Sequence, residues 1–339
     1  MADASRPTTS GSTASSNPRP GIVYSATGEF DIREYYFNLL KNDPTKSMPI
    51  AAIESLSALC DGSKAETIHE LMKTIEQAAK TLKESVPNPV SLTAGANLFK
   101  KFLLQRLHND PRDFETFKKT LQENGHLFAQ RARAARNKVA AAGVKAIRDG
   151  SVVFLHGHSR CITALCLKAA TNGRRFKVIV TQTGESQLGA RTATELRKAG
   201  IEVALIPDTA MAYAMPKATI VLMGAEGVFA NGFCLNILGS MQLAMAAQYY
   251  KKPVYICAET HKFVDMFPLD QFRLPVTQNI VNFTDSDEPA PESSSDKPAL
   301  GPYGYVDIIP KDLITGYITE IGLLSPQEAG HKIVMMRFE

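Results

Sequence analysis

The sequence predicts an α/β protein of two domains: an N-terminal all-helical domain over residues 22–150, followed by a doubly wound parallel sheet over residues 151–339. Three observations carry that expectation. Apolar residues recur at helical spacing through the first part of the chain. From Ser151 the period changes, and short apolar runs appear with helical segments between most of them. One string, Ile220 to Pro268, condenses the second pattern into strand, turn, helix and strand, with charged residues just past the strand ends.

Composition narrows the classes. A hydrophobic fraction of 44% against 21% charged residues is that of a globular chain with a substantial core. The net charge of +4 is too small to argue for nucleic acid. No apolar run approaches a membrane span, and no charged-then-apolar leader opens the chain. The cysteines (Cys60, Cys161, Cys166, Cys234, Cys257) are scattered and form no CxxC pair. That argues against zinc and a disulfide framework, and for a reducing, cytoplasmic compartment.

Residues 1–21 are rich in Ser, Thr, Ala and Pro and read as a disordered tail. Ile32, Tyr35, Tyr36, Leu39 and Leu40 then follow the spacing of a helix with one buried face. A second helix is expected from Ser47 or Pro49 through Cys60. A third starts near Ser63, with Glu66 completing a capping box and Ile68, Leu71, Met72 and Ile75 on one stripe. After the break at Pro87-Asn88-Pro89, helices at 90–107 and 113–148 complete the domain. Between His126 and Asp149 stand Arg131, Arg133, Arg136, Lys138, Lys145 and Arg148 against one acidic residue. Such a face is either solvated, its long stems covering apolar surface, or an anion contact made by guanidinium forks.

Buried-strand runs lie at 151–155, 176–180, 201–206, 219–223 and 254–257, with helices expected at 159–170, 187–199 and 234–250. Residues 208–216 leave room for one or two helical turns, and 226–232 read as a polar turn. The alternation predicts βαβ units and a Rossmann-like sheet. Residues 284–299 are acidic and Pro-rich with nothing larger than Ala to bury, so a disordered insertion is expected there. The fold resumes at Tyr305, a closing helix is expected over 312–320, and Ser325-Pro326 opens a final segment.

The strand ends hold the informative residues. The first is followed by His156-Gly157-His158-Ser159-Arg160, with Ser159 placed to cap the next helix, and the second by Thr181 to Ser186 and then Arg191. Gly224-Ala225-Glu226 and Glu259-Thr260-His261-Lys262 follow the fourth and fifth. Hydroxyls, Arg and Lys on one edge suit a phosphorylated small molecule. Neither GxGxxG nor GxxxxGK[ST] occurs, so dinucleotide and P-loop sites are not supported. The two histidines read as loop hydrogen-bonders sooner than as acid–base groups.

The string GAEGVFANGFCLNILGSMQLAMAAQYYKKPVYICAETHKFVDMFPLDQ resembles the signature block of the alpha, regulatory subunits of eukaryotic translation initiation factor 2B, the guanine-nucleotide exchange factor for initiation factor 2. The likeness continues through VVFLHGHSRCITALCLKAA and VIVTQTGESQLGARTATELRKAG, and reaches SLTAGANLFKKFLLQ in the helical domain. Methylthioribose-1-phosphate and ribose-1,5-bisphosphate isomerases share the implied fold and set the competing expectation, a sugar-phosphate isomerase. Their first strand ends in Thr-His-Cys-Asn with a catalytic cysteine, and their fourth in Gly-Ala-Asp with a catalytic aspartate. Here the matching strings are Leu155-His156-Gly157-His158 and Gly224-Ala225-Glu226. Glycine has no side chain to act as acid, base or nucleophile. Cys161, a helical turn further on, is expected to point elsewhere.

The resemblance therefore implies no catalytic residue and no metal, but a retained pocket for a sugar phosphate or nucleotide monophosphate. Matching positions are His156, Ser159, Arg160, Arg191, Glu226, Asn236 and Lys262, the last a point charge for phosphate. It further implies a cytosolic homodimer that bridges two beta–delta pairs, and through them gamma and epsilon subunits. That complex distinguishes ordinary initiation factor 2 from factor phosphorylated on its alpha subunit. Arg133 and Arg136 are the candidate contacts to the phosphorylated partner; neither membrane nor direct nucleic-acid contact is implied.

Overall fold

The computed structural model describes residues 30–336 except 44, 110–129, 279, 282 and 284–303. The Ser/Thr-rich tail, the acidic insertion and the first part of the expected helix over 113–148 lie outside the described residues.

The helical part comprises α1 (Ile32–Asn42), α2 (Met48–Gly62), α3 (Ile68–Glu84), α4 (Val90–Asn109) and α5 over residues 130–143. Asp31 starts α1 by accepting hydrogen bonds from the Arg33 and Glu34 amides at 3.0 Å. The apolar residues of α2 are not confined to one stripe, and Ile50, Ala51, Ala52, Ile53, Leu56 and Cys60 are all buried. A helix apolar on most sides belongs at the centre, and α2 is the one the others surround. At Gly95 of α4 an added Cβ would stand 2.3 Å from the Pro49 carbonyl oxygen, so the glycine is what lets α4 approach the start of α2. The capping box of α3 is formed by Thr67 and Glu70 rather than Ser63 and Glu66. Residues 63–66 are non-helical, and the Glu66 amide itself donates to Glu70. Accordingly Ile68 is exposed, and the buried stripe is Leu71, Ile75, Ala78 and Leu82.

The strands are β1 (Val152–His156), β2 (Lys177–Thr181), β3 (Glu202–Ile206), β4 (Ile220–Met223), β5 (Gly227–Phe229), β6 (Cys234–Ile237), β7 (Val254–Cys257), β8 (Phe263–Val264), β9 (Val306–Ile309), β10 (Gly316–Thr319) and β11 (Gly322–Leu324). Helices α6 (Arg160–Thr171), α7 (Leu188–Lys198), α8 (Met211–Ala214), α9 (Ser240–Tyr249) and α10 (Pro326–Met335) accompany them. The main sheet has the order β11-β10-β7-β4-β1-β2-β3, parallel throughout except for β11. Val153 and Leu155 enter the core on one face and Phe154 the core on the other, as the strand period of two requires. The order runs outward in both directions from the β1–β4 pair, which makes that pair the topological switch point where ligands bind in such sheets.

Three expectations are corrected. Residues 226–232 are not simply a turn, and 234–239 are not helical: β5 and β6 form a hairpin around Asn231-Gly232. Gly232 adopts φ 80° and its amide donates to the Phe229 carbonyl at 2.9 Å. Asn-Gly between apolar runs is a strong hairpin signal, and here Gly232 alone takes the left-handed position, at the end of a three-residue loop. With β8 and β9 the hairpin makes a second, four-stranded sheet, β8-β5-β6-β9, and α9 begins only at Ser240. Residues 312–320 are likewise not a helix. A short turn at Lys311–Leu313 leads into β10, whose Tyr317 and Ile318 are buried beside β7. The final segment is α10, opened by a Ser325–Glu328 capping box.

The second sheet seats the helical part. Phe229, Leu235, Val264 and Ile308 pack with Val90 and Ala94 of α4 in one buried cluster. Replacing Gly95 by Ala should test how tight the adjoining α2–α4 contact is. The favourable change in helix propensity, about 1 kcal/mol, should be outweighed by an overpacking cost toward the upper end of about 1–3 kcal/mol, for a net loss of about 1–2 kcal/mol in denaturant unfolding. A stabilised variant would contradict the close approach.

Candidate ligand-binding site

A cavity of about 410 Å³ opens at the C-terminal edge of the main sheet, beneath the helical part. That volume suits a small metabolite. After β1 the chain turns at Gly157, φ 65°, and brings His158, Ser159, Arg160 and Cys161 to the wall. From β4 come Gly224, Ala225 and Glu226, from β6 Asn236, from the loop after β7 Glu259 and Lys262, and from α7 Leu188 and Arg191. The roof includes Tyr36, Phe37 and Leu40 of α1, Lys46, Met48 and residues 85–88. Six of the seven residues expected from the sequence, Ser159, Arg160, Arg191, Glu226, Asn236 and Lys262, thus line one space. Ser159 occupies the N-cap position of α6, but its side chain makes no capping hydrogen bond.

His156 is not among the lining residues. It is buried behind the wall, with Nε2 2.8 Å from the Leu238 carbonyl and Nδ1 2.6 Å from Thr181 Oγ1. A carbonyl only accepts, so Nε2 carries the hydrogen and Nδ1 accepts from the threonine hydroxyl. Burial, the largest influence, lowers its pKa despite the Leu238 bond. This histidine braces the turn into α9. The adjoining Gly239, φ 101°, has no room for a side chain, since a Cβ would lie 2.9 Å from the His156 ring. Asp307 of β9 completes the turn, its Oδ2 accepting from the Gly239 and Met241 amides at 2.8 and 3.1 Å. Burial pushes the Asp307 carboxyl up to about 7 against those bonds.

The electrostatic centre is Glu259, 1% exposed and outside the residues expected from the sequence. Lys262 Nζ lies 3.6 Å from its Oε2, and Arg136 Nε of α5 lies 3.7 Å from its Oε1. Burial opposes its ionisation, but Lys262 and then His261 outweigh that and hold it well below the usual carboxylate range. Lys262 is the mirror case: burial lowers its pKa, while Glu259 and Glu226 more than restore it. It also donates to the Ala225 carbonyl at 2.8 Å. His261, close by, is pushed down to about 4, chiefly by burial, and its Nε2 lies 3.3 Å from Ser47 Oγ.

Cys161 does not point elsewhere. It is on the cavity wall, in the first turn of α6, and its thiol lies close to the Glu259 carboxylate of the loop after β7. Burial first, and the Glu259 charge second, push that thiol well up, so it stays protonated and is a poor nucleophile. Of the two arginines offered for a protein partner, Arg133 is exposed and pairs with Asp43 at 3.0 Å. Arg136 is turned inward, donating to the Thr45 carbonyl at 3.0 Å and facing Glu259. Among the described residues, no His, Cys, Asp and Glu side chains are grouped to hold a metal ion, and no helix is long and apolar enough to cross a membrane.

Known proteins resemble this chain in sequence and in fold. The sequence pattern of the initiation factor 2 subunit family matches residues 41–326. Translation initiation factor eIF2B subunit alpha of Dictyostelium discoideum is 32% identical over 307 residues, covering 88% of this chain and 94% of the relative. Ribose 1,5-bisphosphate isomerase of Archaeoglobus fulgidus is 31% identical over 278 residues, covering 82% and 84%. The fold matches that in the crystal structure of the tetrameric eIF2B-beta2-delta2 complex from C. thermophilum, with a TM-score of 0.70, 21% identity, and coverage of 90% and 95%.

Removing one member of the buried charge cluster should strand the others. Glu259→Ala leaves Arg136 without its carboxylate and Lys262 with Glu226 alone, and should cost about 3–5 kcal/mol in denaturant unfolding. Adding Lys262→Met should recover part of that loss. If the double variant instead loses the sum of the two single effects, the residues are not coupled.

Proposed function

The chain belongs to the initiation factor 2 subunit family, and from that premise we propose that it is a non-catalytic, alpha-type regulatory subunit of the factor 2B exchange complex. On this reading it forms a cytosolic homodimer and bridges two beta–delta pairs. Through them it joins gamma and epsilon, and it helps hold initiation factor 2 phosphorylated on its alpha subunit. Support comes from the 32% identity to an alpha subunit over nearly its full length. Arg133 is exposed and suits a phosphorylated partner; Arg136 is already committed to Glu259 and Thr45.

The observation that carries the non-catalytic half is Gly157. It stands where the isomerase motif places its cysteine, and its backbone is in the left-handed region. A Cβ there would lie 2.3 Å from Ile237 Cδ1, so a side chain would have to displace that methyl as well as hold a positive φ. The competing reading, a sugar-phosphate isomerase, draws on the 31% identity to a ribose 1,5-bisphosphate isomerase and on the cationic cavity. It would need a nucleophile or acid that neither Gly157 nor the protonated Cys161 thiol supplies. Within the regulatory reading, the cavity holds a sugar phosphate or nucleotide monophosphate as a bound ligand rather than a substrate.

Tagged protein, recovered from lysate with and without phosphatase treatment and analysed by mass spectrometry, tests the assignment. Four other exchange-factor subunits should be recovered, with initiation factor 2 present before phosphatase and lost after it. Recovery of the chain with only itself, together with turnover of ribose 1,5-bisphosphate, would establish the isomerase instead.

A further inference from the structure

Two histidines flank Gly157, and the structure gives them opposite tasks. His156 has both ring nitrogens engaged behind the wall. His158, partly buried, lines the cavity, and its Nδ1 lies 3.0 Å from Thr192 Oγ1. The threonine hydroxyl has one hydrogen to donate and gives it to the Gly157 carbonyl at 2.8 Å, the shorter of its two carbonyl contacts. Toward His158 it therefore accepts, and Nδ1 must carry a hydrogen. The neutral ring then has its lone pair on Nε2, on the side away from Thr192. Among the described residues Nε2 has no hydrogen-bond partner.

The charged groups around His158 are Arg160 at the start of α6 and Arg191 and Glu195 on α7. Burial disfavours its charged form most strongly; Glu195 favours it, and Arg191 and Arg160 disfavour it, so the ring is neutral at neutral pH. Of the other cations of the wall, Lys41 of α1 is exposed to solvent at the roof, and the rest are already engaged. Arg191 Nε pairs with Glu195 at 3.0 Å, Lys262 with Glu259, Lys46 with Glu54 at 2.5 Å, and Arg160 donates to the Lys46 carbonyl. His158 is the wall residue whose charge is free to change when an anion arrives.

We propose that His158 is a ligand-contacting residue of this cavity, which takes a proton from solvent onto Nε2 as a phosphate monoester dianion binds and donates it in a hydrogen bond to a phosphate oxygen. The proposal rests on the phosphate-ligand reading of the cavity. It favours a ligand group with two negative charges, because the field of a monoanion (a carboxylate, sulfate ester or phosphodiester) is half as strong at the ring. Binding and protonation are then linked, each strengthening the other.

Calorimetric titration of the full chain with ribose 5-phosphate, in two buffers of different ionisation enthalpy, counts the protons taken up per ligand bound. The ester's second ionisation lies near 6, so at about pH 7.4 it is mostly dianionic before and after binding, and uptake reports on the protein. The wild type should take up a substantial fraction of one proton and His158→Gln about none. Between about pH 8 and 7 the wild-type affinity should rise, by at most about tenfold for one linked proton, while the variant stays flat. A merely structural histidine would lower affinity in the variant without changing proton uptake. Equal uptake in both proteins, or none in either, overturns the assignment of His158 alone. Failure of the wild type to bind either ribose 5-phosphate or adenosine monophosphate overturns the cavity reading with it. If His158→Gln folds poorly, the ring resonances of His158 in the wild type decide. Their titration midpoint must rise by about one unit or more on adding ligand, or the proposal falls.

Discussion

A carboxylate removed from water persists as an anion only where cations answer it. Glu259 is answered from two directions, by Lys262 in its own turn and by Arg136 on α5. Because one cation belongs to the sheet edge and the other to the helical part, compensating a single charge helps set how the two parts meet. The same seam is closed by the Arg160 guanidinium on the Lys46 carbonyl, Ser47 beside His261, and the Ser91 hydroxyl on the Glu226 carbonyl. Beside it, α4 packs on the second sheet through Val90 and Ala94. The cavity lies along this seam, so its shape depends on both parts staying in register.

Three residues beside the switch point are poorly placed for acid–base or nucleophilic chemistry. Gly157 puts backbone where a reactive side chain would stand, and Ile237 occupies the adjoining space. Cys161 reaches the wall, but burial and the neighbouring Glu259 charge keep its sulfur protonated. His156 spends both nitrogens on Thr181 and Leu238. Each would need a different environment to move a proton or attack a carbon.

Much of this was legible in the sequence, for identifiable reasons. Strands β1, β2, β4 and β7 are buried almost throughout, and their continuous apolar runs announce them, as does the apolar run of the more exposed edge strand β3. The residues after each strand fall on one edge by topology alone, which is why six of the seven expected residues meet in one cavity. Short strands were harder to see. In β5 and β6 only three or four residues separate punctuation marks, and Cys234 to Ile237 continue without a break into the apolar pattern of α9. Asn231-Gly232 was the available signal. Likewise Gly316-Tyr317-Ile318-Thr319 has the β-branched and aromatic character of a strand, against the helix expected there. His156 and His158 could not be told apart, since which of them is buried depends on Thr181, Thr192 and Leu238 on other elements. Glu259 went unnoticed as the site's centre because its cation Arg136 lies far away along the chain. The same distance hid the use of that arginine: the basic helix read as either solvated or anion-binding, and one of its residues serves inside the fold.

The cavity has a polarity that bears on what it can hold. Arg160, Arg191 and His158 stand at the starts of α6 and α7, whereas Glu226 and Glu259 follow β4 and β7 with Lys262 between their charges. An anion drawn toward Lys262 competes with two carboxylates for it, while one placed against α6 and α7 meets cations and the amide end of a helix. The carboxylate side instead calls for hydrogen-bond donors. A bare dianion answers the first demand and leaves the second open. A phosphorylated polyol, its phosphate toward α6 and α7 and its hydroxyls toward Glu226 and Asn236, answers both in one orientation. The proposed sugar-phosphate ligand thus draws support from how the charges are distributed rather than from how many there are.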